Sequence, residues 1–157
     1  MTRLPCLLLV ASPLCMGCDP NPPREAFGCN DPTPAIPLVY VVQESEDGLS
    51  CVRLDFREDE GSVVVPGVDV TGGWQLVSAI RVTSDCAAVL DRVRNMELEP
   101  SATRAERGSG QVDIEGTTVG RAVVDLEFGT APDGSLNPST VSVSAEGVET
   151  DEACPLP

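Results

Sequence analysis

The sequence predicts an all-β domain, mainly antiparallel, built as a sandwich or a partly closed barrel of about seven to eight strands with one short helix near residues 84–95. Three observations predict it. Apolar and polar residues alternate with a period of two in several separate segments, which on a pleated strand puts the apolar side chains on one face and leaves the other wet. Sheets with one wet face are characteristically antiparallel. Helical spacing of apolar residues stands out in one segment, which also carries a cap residue. The chain's 157 residues, 41% hydrophobic and 22% charged, suffice for one domain with a sizeable core and fall in the ordinary globular range.

Taken in order, residues 38–42 (LVYVV) are continuously apolar, as expected of a central strand buried on both faces. Val52, Leu54 and Phe56 then alternate with Arg53, Asp55 and Arg57. Residues 63–70 are broken by Pro66-Gly67, which suits an edge strand or a bulge, and residues 74–82 form a further strand. Ser84-Asp85 followed by Cys86, Val89, Leu90 and Val93 combines an N-cap with helical spacing. Residues 99–110 (EPSATRAERGSG) are polar and bounded by glycine, and are expected to be a loop between two halves. Strict alternation returns with Val112 and Ile114, with Val124, Leu126 and Phe128, and with Val141, Val143 and Ala145. Residues 131–138 (APDGSLNP) form the loop of a C-terminal hairpin joining strands over 121–128 and 139–146.

Ahead of this domain the chain has a different character. Thr2 and Arg3 form a singly charged start, and residues 4–14 (LPCLLLVASPL) form an apolar run of secretory length. The run is too short to span a bilayer, which takes roughly 20 apolar residues. Cys15-Met16-Gly17-Cys18 follows, with a small residue directly before the second cysteine. This segment resembles the lipobox of bacterial lipoproteins, although Cys15 stands where that pattern prefers leucine. The resemblance implies cleavage before Cys18, lipidation of Cys18 and attachment to a membrane through that lipid, with Asp19 similar to an inner-membrane retention signal. A chain not lipidated at Cys18 would instead be secreted. The expected organisation is a signal peptide over 1–17, a proline-rich tether over 18–37 and a single β domain over 38–157.

Seven cysteines fit an exported chain. With Cys6 and Cys15 removed in the signal and Cys18 lipidated, Cys29, Cys51, Cys86 and Cys154 remain, and an oxidising envelope permits two disulfides among them. Three pairings are open. The preferred expectation joins Cys29 to Cys51 and Cys86 to Cys154, each bridge contributing roughly 2 to 4 kcal/mol.

Charge excludes several functions. A formal net charge of -15, with 25 acidic residues against 10 basic ones, all arginine, would repel nucleic acid. Without histidine or lysine, the chain has no Ser-His-Asp triad, no Ser-Lys dyad, no Schiff base and no histidine-ligated metal. Gly116-Thr117-Thr118-Val119-Gly120 superficially resembles a nucleophile elbow but has no base to serve it, and is expected to be a turn. Carboxylates are the remaining acid-base groups: Asp125 with Glu127, and Asp113 with Glu115, each pair on one outward strand face. The turns Glu44-Ser45-Glu46-Asp47-Gly48 and Glu58-Asp59-Glu60-Gly61 concentrate hard oxygen ligands of the kind calcium takes, but neither has the spaced calcium-loop pattern.

The leading expectation is therefore a non-enzymatic, lipid-anchored envelope domain with a binding or structural role toward an envelope protein, without catalytic residues, cofactor or metal. The layout is similar to that of uncharacterised small lipoproteins of Gram-negative bacteria. The alternatives are a calcium-dependent adhesion module and a hydrolase working with carboxylates alone.

Overall fold

A computed structural model describes residues 27–31, 38–45, 48–58, 64–95, 97, 99, 101–116 and 118–151. The elements run β1 (Phe27–Asp31), β2 (Leu38–Glu44), β3 (Cys51–Arg57), β4 (Val68–Gly72), β5 (Gln75–Val82), α1 (Cys86–Arg94), β6 (Thr103–Glu115), β7 (Thr118–Phe128) and β8 (Ser139–Asp151). Each strand of the circuit β6-β5-β3-β2-β1-β8-β7 neighbours the next, and β7 returns to β6, so seven strands make a nearly closed barrel. Most pairings are antiparallel, and β1 with β8 and β4 with β6 are parallel.

Period-two alternation produces this architecture directly. Val39 and Val41 of β2, Val52, Leu54 and Phe56 of β3, Val112 and Ile114 of β6, Val124 and Leu126 of β7, and Val143 and Ala145 of β8 point inward and merge into one core. Closing the sheet removes the exposed edges that an open sheet would present. A second, smaller cluster lies on the outer surface, where α1 covers Val42, Cys51, Ile80 and Val82 with Cys86 and Val89. Residues 38–42 are thus buried on both faces only in part: Val39, Val41 and Val42 are buried, while Leu38 and Tyr40 are half-buried.

Local chemistry sets the ends of the elements. Asp85 caps α1, its Oδ1 accepting from the Ala88 amide at 2.8 Å. Pro66-Gly67 forms the centre of a tight turn, with the Val68 amide donating to the Val65 carbonyl and Gly67 at φ +79°, and β4 follows it as a short parallel strand on β6. Gly116, at φ +59°, follows the last residue of β6, whereas Thr118, Val119 and Gly120 of the expected turn are already strand, the first residues of β7.

Two segments differ from expectation. Residues 103–110 belong to β6 and are not part of a loop. Gly108 and Gly110 are there for close approach, because a Cβ on Gly110 would lie 2.3 Å from the Val123 carbonyl oxygen and one on Gly108 would lie 2.4 Å from that of Asp125. They mark where β6 leaves β5, paired at Ile80↔Arg104 and Arg81↔Thr103, and takes β4 on the same edge. The stretch expected as a tether also contributes β1, whose five residues pair with β2 from Phe27↔Val42 to Asp31↔Leu38. The signal segment and Cys18 lie outside the described residues.

Candidate functional site

Among the described residues, the densest charged constellation lies on the outer face of β2 and β3, beside α1. Alternation sends Arg53 and Asp55 outward, but α1 and the chain that follows it cover them. Arg53 grips Asp55 with two bonds, Nε to Oδ1 at 2.7 Å and Nη2 to Oδ2 at 2.8 Å. Glu99 is pinned between two arginines, accepting from Arg92 Nε at 2.8 Å and lying 3.6 Å from Arg53 Nη1. The Arg53 guanidinium also stacks 5.1 Å from the centre of the Tyr40 ring. Burial pulls the Arg53 pKa down, but the hydrogen bonds and charge of Asp55, with Tyr40 and Glu99, outweigh it, and the guanidinium is held above its ordinary value.

This geometry limits the chemistry of the cluster. Both Asp55 oxygens are occupied by one guanidinium, and Glu99 is the shared anion of two, so these carboxylates are fixed counter-ions. The cluster ties β3 to α1 and to the loop before β6.

Directly adjacent, Cys51 is bonded to Cys86, with a Cα–Cα distance of 5.1 Å. The expected pairing of Cys29 with Cys51 and Cys86 with Cys154 is corrected by this bond. Its cause is strand register: Cys51 opens β3 opposite Val82, the last residue of β5, and α1 begins at Cys86 just beyond it. Cys29 lies on β1, and Cys154 lies outside the described residues.

The carboxylate pairs singled out from the sequence face outward as expected. Asp113, Glu115, Asp125 and Glu127 are all exposed on the outer face of β6 and β7. Register intersperses them with arginine: Arg107 is opposite Glu127, and Arg121 stands between Asp113 and Glu146. Asp125 lies between Ser109 and Ser142. The outside of a barrel is convex and hydrated, a poor setting for holding a substrate between two carboxyl groups. Glu44 and Gly48 of the first acidic turn are described, whereas Glu46, Asp47 and residues 59–61 lie outside the described residues. Among the described residues, no three His, Cys, Asp or Glu side chains group in a way that could hold a metal ion.

Two inward polar residues were not singled out from the sequence. Gln43 reaches across from β2 to β8, its Nε2 donating to the Ser142 carbonyl at 3.3 Å and its Oε1 accepting from the Ser144 amide at 2.9 Å. That is the pattern one residue of a parallel neighbouring strand would make. Arg81 closes one end of the barrel, donating from Nη2 to the Asn137 carbonyl at 2.6 Å and from Nη1 to the Ser139 hydroxyl, with its guanidinium 5.5 Å from the centre of the Phe128 ring. A glutamine and an arginine at inward strand positions were the available sign, legible only once register is known.

No family model, no curated protein and no solved structure matches the chain.

Proposed function

We propose that the chain is a non-enzymatic, lipid-anchored domain of a bacterial cell envelope, held at a membrane through Cys18 and serving a binding or structural role toward an envelope protein. The observation that carries this reading is the disposition of the carboxylates. Among the described residues, Asp55 and Glu99 are covered and locked to arginines, and Asp113, Glu115, Asp125 and Glu127 on the barrel exterior are exposed among arginine and serine. The barrel interior is filled mainly by apolar side chains, and the inward Gln43 and Arg81 are hydrogen-bonded to β8 and to the segment before it. A packed interior and a polar, charge-interspersed exterior suit a module that presents a surface.

The lipobox-like Cys15-Met16-Gly17-Cys18 supports the anchor, and the proline-rich stretch after it supplies a spacer between membrane and barrel. Among the described residues, no helix is long and apolar enough to cross a membrane. Cross-linking in intact cells, followed by mass spectrometry of the recovered complex, tests the role. The expected result is a reproducible covalent adduct with one envelope protein through exposed residues of the barrel exterior. Recovery of uncross-linked chain alone from the membrane fraction would contradict a partner-binding role.

A further inference from the structure

We infer that α1 is a redox-sensitive cover: it stays on the outer face of β2, β3 and β5 while Cys51–Cys86 is oxidised, and lifts when that bond is reduced, leaving the barrel strands paired. Among the described residues, two apolar clusters have no residue in common. The larger fills the barrel. The smaller lies outside it, where Cys86, Val89 and the partly buried Leu90 of α1 rest on Val42, Cys51, Ile80 and Val82. Lifting α1 therefore removes nothing from the inner cluster. The sheet beneath is complete without the helix, since β2 pairs with β3 from Leu38↔Arg57 to Glu44↔Cys51, and β3 with β5 from Cys51↔Val82 to Arg57↔Gln75.

The helix depends on being docked. At 9 residues it is shorter than the roughly 12 to 15 that an isolated helix needs in water. The polar link made by Arg92 is indirect, running through Glu99, which lies 3.6 Å from Arg53 of β3. The covalent link joins the first residue of α1 to the first residue of β3, 35 positions away. Cutting it returns conformational freedom to the lifted state. Cys51 is fully buried and Cys86 is 5% exposed, and a thiolate must reach a sulfur to attack it. Because α1 packs over both cysteines, reduction and lifting are coupled: the bond keeps the helix down, and the helix keeps reductant out. The reductant is a dithiol of the thiol-disulfide exchange class. One of its thiolates attacks one sulfur, its second thiol resolves the mixed disulfide, and two electrons and two protons end on the Cys51 and Cys86 thiols as the dithiol becomes a disulfide.

Hydrogen exchange on the full chain, read by mass spectrometry with and without dithiothreitol, tests the cover. On reduction, the amides of α1 should exchange at least about tenfold faster while those of β7 and β8 keep their protection. A double variant, Cys51→Ala with Cys86→Ala, lacks this bond alone and should show the same pattern. An α1 as protected without the bond as with it would overturn the proposal, and so would loss of protection across β7 and β8 together with α1. The coupling is read from the rate at which dithiothreitol opens Cys86 to alkylation. Asp85→Ala removes, at an exposed position, the carboxylate that accepts from the Ala88 amide, and should speed that reaction about fivefold. A rate unchanged by this substitution would mean that the bond is attacked with α1 in place, and would overturn the coupling.

Discussion

At Asp133, in the exposed turn before β8, the Ser135 hydroxyl and amide both donate to the carboxylate, at 2.5 and 2.9 Å, and hold its pKa below the ordinary 3.8. Hydrogen bonds to a charged carboxylate favour that form. A depressed folded-state value means the contribution is present above the unfolded pKa and is lost as pH falls through the folded one. An NMR titration should place the Asp133 midpoint below 3.8, and Ser135→Ala should move it upward; a midpoint unchanged by the substitution would contradict the hydrogen-bond account. Arg53 tests the buried cluster. Replacing it with leucine leaves Asp55 and Glu99 covered without the guanidinium that faces both, and removing one partner of a buried ion pair costs about 3 kcal/mol. Urea denaturation measures this, and a loss below about 1 kcal/mol would show the cluster to be solvated like a surface pair. The alternation at residues 52–57 was enough to place Arg53 and Asp55 on the outer face. That this face is covered depends on α1 and Glu99, which approach from more than 30 positions away, a relation no local pattern contains.

At the scale of elements, the sequence was most legible where one face is wet and one is dry. The strands around Val52–Phe56, Val124–Phe128 and Val141–Ala145, the Asp85 cap and the 131–138 hairpin loop all follow from period and cap chemistry. The first half of β6 did not, because Arg104, Glu106, Gly108 and Gly110 carry the composition of a loop. Glycine usually weakens a strand, yet here it permits a curl that brings β6 against the backbone of β7. Gly110→Ala is therefore expected to destabilise the domain by about 2 kcal/mol, since backbone at both Val123 and Val124 would have to shift. Thermal unfolding measures the effect. An alanine variant as stable as the parent would mean that the curl of β6 is not constrained at this position.

For the whole molecule, the barrel depends on two weak joins, β5 with β6 and β1 with β8, each made through only two register positions. Gln43 reinforces the second. Gln43→Leu should speed hydrogen exchange of the Ser144 amide about tenfold, the equivalent of one lost hydrogen bond of about 1.4 kcal/mol; an unchanged rate would mean that the glutamine does not close the seam. Closure itself was legible only as one of two options, sandwich or barrel, because strand order is set by pairings between distant segments. The same non-locality hid the Cys51–Cys86 bond, which follows from β3 meeting β5. The central claim, a barrel tethered by lipid at Cys18, is tested most directly by the mass of the N-terminal peptide of the mature protein extracted from membranes. The predicted result is a peptide beginning at Cys18 and carrying an acyl mass. A peptide beginning at any other residue, or one beginning at Cys18 without that mass, would contradict it.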